Sequence, residues 1–286
     1  MNKGDKVGIV WCSNGQKTSY CEKIELLRNT LEQIGLVPVF SEFIYEKEDV
    51  FPGTAVERAE ALMDFYKDEE IKAIFDISGG DIANGILSYL DFDVINKSNK
   101  KFWGYSDLTT MVNSIYTKTG NESVLYQVRN LIYTDKDRQI ANFEKTLFSK
   151  GDDLFRFDYD FVQGEKMQGI VVGGNIRCFL KLAGTEYMPD LTGKILLLES
   201  MSGTVAKMET YLAQLKQIGA FNMVSGVLLG TFTEMEEKNC KPDIATLVKR
   251  YVKADMPIAM TKEIGHGVDS KAIVIGQEMC LQGGQR

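Results

Sequence analysis

Short apolar runs alternate with amphipathic stretches through the first half of the chain. Val7-Gly8-Ile9-Val10-Trp11 is a β-rich run ending in Ser13-Asn14-Gly15, which predicts a buried strand and a turn. From Ser19 to Leu36 the apolar positions Ile24, Leu27, Leu31 and Ile34 recur at spacings of three and four, with Gly35 where a helix would stop. Val37–Phe40 then predicts a strand, Ala55–Tyr66 a helix, Ala73–Ile77 a strand, Asp81–Leu90 a helix, Lys101–Tyr105 a strand and Asp107–Thr117 a helix. Such regular alternation predicts a doubly wound parallel α/β domain over residues 1–134.

Between 135 and 164, polar and aromatic residues mix with lysines and no period is sustained, which predicts a crossover linker. Residues 165–286 read as a second, smaller, more strand-rich α/β domain. Its expected strands are Gln168–Gly173, Lys194–Leu198 and Met223–Leu229, with helices at Val205–Ile218 and Ile244–Lys253 and a terminal pair of strands around His266 and Ala272–Ile275. Neither an internal repeat nor a low-complexity tract interrupts this order.

Composition narrows the function classes. Of 286 residues, 44% are apolar and 26% charged, a globular balance. A net charge of −7 disfavours phosphate backbones and anionic lipid surfaces, so no nucleic acid or membrane is expected as a partner. No apolar stretch is long enough to span a bilayer, and Met1–Asp5 runs straight into a strand-like segment, which points to a cytoplasmic protein. Cys12, Cys21, Cys178, Cys240 and Cys280 form no close pair and fit reduced thiols. With His266 the only histidine, a multi-histidine metal centre is excluded, and no cofactor is expected.

Four segments carry candidate chemistry. Ser106 ends an apolar strand and precedes a helix in Gly104-Tyr105-Ser106-Asp107, the arrangement of a nucleophile elbow, although the second glycine of G-x-S-x-G is missing. The competing reading makes Ser106 or Asp107 a helix N-cap. Ser78-Gly79-Gly80-Asp81 follows a strand and opens a helix, so free backbone N–H groups there can bind an anion; the turn can equally exist for positive φ alone. Neither nucleotide-binding glycine pattern is present. His266 is bracketed by Gly265 and Gly267, as in a loop, where catalytic groups are common. Glu199 ends the apolar strand Ile195–Leu198, where a carboxylate requires a partner, catalytic or structural.

Taken along its whole length the chain resembles the serine peptidase family that contains the LD-carboxypeptidases and the MccF-like microcin C immunity peptidases. The resemblance is carried by Gly79-Gly80 with Asn84 and Ile86–Asp91, by Gly104–Thr109, by Gly173-Gly174-Asn175, by the run Gly184–Lys194 leading to Leu198-Glu199, and by Gly265-His266-Gly267. It implies a triad of Ser106, Glu199 and His266, an oxyanion hole of the Gly80 and Asp107 N–H groups, and substrate contacts from Asn84 and Asn175. It also implies a flavodoxin-like N-terminal domain, a smaller β-rich partner domain, a site between them and a homodimer. LD-carboxypeptidases typically carry an arginine before the paired glycines and a further glycine soon after; Ser78 and Ile82 stand in those places here. Asn84 and the Gly184–Lys194 run look more like the MccF-like branch. The implied substrate is a murein tetrapeptide or a peptidyl-nucleotide conjugate. A two-domain small-molecule binding protein or an inactive member of the family is the competing reading.

Overall fold

A computed structural model describes residues 1–284. Five strands, β1 (Lys6–Val10), β2 (Val37–Phe40), β3 (Ile71–Asp76), β4 (Lys101–Gly104) and β5 (Ser123–Leu125), run parallel in the order β2-β1-β3-β4-β5. This is the flavodoxin-like order, in which the chain reverses its direction of winding between β1 and β3 and leaves a crevice at their carboxyl ends. Amphipathic helices Cys21–Ile34, Ala55–Lys67 and Thr109–Thr119 cover its faces. The first ends on Gly35 at φ +104°, as its sequence position predicts. A capping box between Thr54 and Glu57 starts the second.

The second sheet contains β6 (Asp160–Gln163), β7 (Lys166–Asn175), β8 (Ile195–Ser200), β9 (Gly226–Phe232) and β10 (Ile258–Met260). After these, β11 (Ile273–Ile275) leaves for the first sheet and β12 (Glu278–Gln282) closes the second, giving the order β12-β7-β8-β9-β10-β6. The inner four strands are parallel and the two edges antiparallel. The chain therefore folds as two α/β layers, each a sheet with helices. One apolar cluster runs through both, joining Val10, Leu108 and Met111 to Val171, Leu197 and Ile264.

Four expectations drawn from the sequence are corrected. The segment 135–164 holds a helix, Lys136–Phe148, whose buried Gln139, Phe143 and Leu147 recur at four-residue spacing beneath a mostly charged exterior. Residues 83–89 form a 3-10 helix instead of an α-helix; Asn84, Gly85 and Ser88 are poor α-formers, and the Ala83 N–H is held by a side chain from outside the segment. No strand surrounds His266: the nearest, β10, ends at Met260, and Gly265-His266-Gly267 is loop. Finally, residues 273–275 belong to the first sheet, where they pair antiparallel with β5 and shield an otherwise open, fully buried edge.

Candidate active site

Three loops meet at the carboxyl ends of β1, β3 and β4, and a fourth side comes from the second sheet. The backbone first explains why these loops are shaped as they are. Asp76, at the end of β3, is fully enclosed and accepts from the Cys12 N–H at 2.8 Å, the Ser78 N–H at 2.8 Å and the Ser78 hydroxyl at 2.6 Å. Burial pushes its carboxyl pKa up, and those donors oppose the shift. Ser78 is thus turned inward and braces the turn. Asn14 presses on the next residue: its backbone bridges to Gly79, its Oδ1 accepts from the Asp81 N–H at 2.8 Å, and a Cβ on Gly80 would lie 2.2 Å from its Cγ. Gly80 sits at φ +126°, so no other residue fits there.

Ser106 has φ +57°, a left-handed conformation unusual for a residue with a Cβ. Tyr105 before it is extended, and neither of the following helical turns is capped by a side chain. The N-cap reading of Ser106 and Asp107 therefore has no counterpart in the structure. The Ser106 hydroxyl instead lies 3.1 Å from His266 Nε2, and His266 Nδ1 lies 2.7 Å from Glu199 Oε2. Glu199 is fully enclosed on β8 and the His266 side chain is 8% exposed. Gly265 is required beside it, since a Cβ there would fall 1.7 Å from Thr231 Oγ1. With Nδ1–H donated to Glu199, the Nε2 lone pair faces the serine hydroxyl, the tautomer that accepts a proton from it.

Gly80 and Asp107 place their backbone N–H groups on the two turns flanking Ser106, and among the described residues neither takes part in a hydrogen bond. Asn175 is 5% exposed and its Oδ1 accepts from the Cys178 N–H at 3.3 Å, capping the short helix Ile176–Leu180. Asn84 is exposed on its 3-10 helix.

Several contacts that shape the site carry no signal in the sequence. The Asp107 carboxylate accepts from the Ser13 hydroxyl at 2.6 Å and the Ala83 N–H at 2.8 Å on one side and pairs with Lys181 of the second layer on the other. Asn113 donates to the carbonyl of Gly173 and accepts from its N–H, both at 2.8 Å, clamping the Ser106-bearing helical segment to β7. Tyr105 sets its ring edge-on to His266 at 4.8 Å. Its hydroxyl and Glu199 Oε1 are both buried without a hydrogen-bond partner among the described residues. Burial first, and then the Glu199 charge, hold the Tyr105 hydroxyl pKa well above the usual phenol value.

Ser106 on its turn thus faces a histidine paired with a buried carboxylate, and the two α/β layers together supply the three side chains. Residues 7–126 match the LD-carboxypeptidase N-terminal domain and residues 168–281 the LD-carboxypeptidase C-terminal domain, and the chain belongs to that family of peptidases. A probable murein peptide carboxypeptidase of Bacillus subtilis is 27% identical over 98% of this chain and 90% of its own length. The microcin C7 self-immunity protein MccF of Escherichia coli is 29% identical over 62% of this chain and 61% of its own. Among solved structures, an MccF-like protein from Bacillus anthracis superposes with a TM-score of 0.85 at 25% identity, covering 100% of this chain and 96% of that one. A muramoyltetrapeptide carboxypeptidase from Oxalobacter formigenes, with a TM-score of 0.82 at 21% identity over 97% and 95% of the two chains, shares the fold.

Proposed function

We propose that this peptidase cleaves an amide bond of a small peptide substrate with Ser106 as nucleophile, His266 as general base and Glu199 as the group that orients the histidine. The observation that carries the reading is the position of His266, 3.1 Å from the serine hydroxyl on one side and 2.7 Å from a buried carboxylate on the other. His266 Nε2 takes the hydroxyl proton as Oγ attacks the carbonyl carbon, and the oxyanion is held by the Gly80 and Asp107 N–H groups. The imidazolium, supported by Glu199, returns that proton to the leaving nitrogen and the C–N bond breaks. Water, deprotonated by His266, then hydrolyses the acyl ester and restores the serine.

Two substrate classes suit the reading: a murein tetrapeptide, as the Bacillus subtilis relative's name suggests, and a peptidyl-nucleotide conjugate of the microcin type, as the MccF likeness suggests. Asn84, exposed, and Asn175 are assigned to polar parts of either on the strength of the family likeness. A homodimer, on the strength of the family likeness, working in the cytoplasm without a cofactor completes the proposal. The test is to incubate the protein with murein tetrapeptide and with aspartyl sulfamoyl adenosine, reading products by mass spectrometry, alongside fluorophosphonate labelling. Cleavage of one of them with stoichiometric labelling of Ser106 is expected. Cleavage that persists at wild-type rate in Ser106→Ala overturns the assignment.

A further inference from the structure

Four cationic side chains surround the Gly79–Gly80 turn, and three are occupied. Arg58 is buried beneath it and donates to the carbonyls of Cys12 and Ile82. Arg177 pairs with Asp81 and donates to the Gly80 carbonyl at 2.9 Å, while Lys181 pairs with Asp107 and donates to the Asp81 carbonyl at 2.8 Å. Arg129 differs. Half-buried, it makes one long hydrogen bond, 3.3 Å to Gln16 Oε1, and its Nε, like that of Arg58, is enclosed without a partner among the described residues, but unlike Arg58 it holds no backbone carbonyl. Among the described residues no carboxylate lies within ion-pair distance of it. A partly buried guanidinium without an ion-pair partner favours an anion, and its planar fork matches a carboxylate through two parallel hydrogen bonds.

Its location says which anion. A Cβ built on Gly79 would meet Arg129 Nη2 at 3.6 Å and nothing else, so the guanidinium stands over the bare face of the turn whose next residue offers the free Gly80 N–H. The neighbouring Asn130 donates to the Gly267 carbonyl at 3.4 Å, tying the 3-10 helix Val128–Ile132 to the loop that carries His266. Arg129 is thereby held between the oxyanion turn and the histidine loop. In an exopeptidase the scissile carbonyl and the terminal carboxylate are one residue apart, about 3.6 Å of extended chain at most. Arg129, set against Gly79, stands one residue along the chain from the Gly80 N–H.

We propose that Arg129 binds the C-terminal carboxylate of the substrate and so restricts the site to cleavage of the last residue; this rests on the serine-hydrolase reading above. The test compares murein tetrapeptide with the same peptide bearing a C-terminal amide. Wild type is expected to prefer the free acid, and Arg129→Ala to lose roughly 10- to 100-fold in kcat/KM on the acid, mainly through KM, while its rate on the amide stays put. Arg129→Lys should fall between them. Unchanged fluorophosphonate labelling of Ser106 in Arg129→Ala shows that fold and nucleophile survive. An acid-over-amide preference equal to wild type in Arg129→Ala overturns the proposal. Should wild type cleave neither peptide, the murein substrate fails separately, and calorimetry on Ser106→Ala still decides: binding that favours the acid and loses that preference in Ser106→Ala/Arg129→Ala supports Arg129, whereas equal preference in both, or binding to neither, overturns it.

Discussion

Glu199→Gln isolates the charge of the buried acid from its shape. The carboxylate approaches His266 Nδ1 at 2.7 Å, which puts the centres of charge of Glu199 and a protonated imidazole roughly 4 Å apart. At an effective dielectric constant of about 20, such a pair interacts by about 4 kcal/mol, realised only when the imidazolium forms in the transition state. Division by 1.36 kcal/mol per decade gives roughly a thousandfold loss of rate from charge alone. The amide adds a second loss, because its NH2 can donate to Nδ1 and leave the proton on Nε2, facing the serine; neutralising the acid of a comparable triad lowers kcat by about 10⁴. Stability should hardly change, since a carboxylate with Oε1 unpartnered gives way to a neutral group of the same volume. The assay is turnover of the tetrapeptide or of aspartyl sulfamoyl adenosine together with the second-order rate of fluorophosphonate labelling, with circular dichroism to show the fold intact. A folded Glu199→Gln enzyme within tenfold of wild type in both rates would refute the reasoning and leave Glu199 a structural residue.

Three further outcomes follow from particular residues. Ser106→Ala keeps a Cβ at φ +57° and Ser106→Gly does not; relief of about 1–2 kcal/mol of left-handed strain, less about 0.5–1 kcal/mol of extra chain entropy, should make the glycine variant more stable by about 0.5–1 kcal/mol in urea melts, both being inactive, and an alanine variant of equal or greater stability argues against strain at the elbow. Asn113→Ala strands the Gly173 N–H and carbonyl between the layers, and should cost about 2–4 kcal/mol in the same melts and lower activity; a loss under about 1 kcal/mol contradicts the clamp. Burial holds the Cys12 and Cys178 thiols above their ordinary pKa, so both stay protonated as pH rises to about 9; a thiol reagent should therefore modify exposed Cys21 and Cys280 in the folded protein and reach Cys12 and Cys178 only on unfolding, and their labelling in native enzyme would count against the packing described.

Much of the fold could be read locally. Runs such as Val7–Trp11 and Ile195–Leu198 are apolar because parallel strands covered on both faces need no polar side, and Ile24, Leu27, Leu31 and Ile34 mark one helix face ending at Gly35. The glycines at 79–80, 173–174 and 265 were visible as oddities, and the family likeness turned them into a nomination of Ser106, Glu199 and His266. The helix at 136–148 escaped because its stripe of Gln139, Phe143 and Leu147 is narrow and one of its three members is polar.

Local pattern thus determined the alternation of strand and helix, the parallel character of the sheets and the set of polar residues at strand ends, since each depends on spacings of two to four residues. Tertiary structure alone decided the rest. Ser106 and His266 are 160 positions apart, Asp107 and Lys181 are 74, and Asn113 and Gly173 are 60, and no periodicity reaches across such intervals. Likewise, nothing in Ile273-Val274-Ile275 tells which of two sheets it will join; the open edge of β5 does, because a fully buried edge must find hydrogen-bond partners. The uncommitted charge of Arg129 belongs to the same class of fact: whether an arginine is paired depends on which chain segments stand around it, and that is fixed only when the layers close.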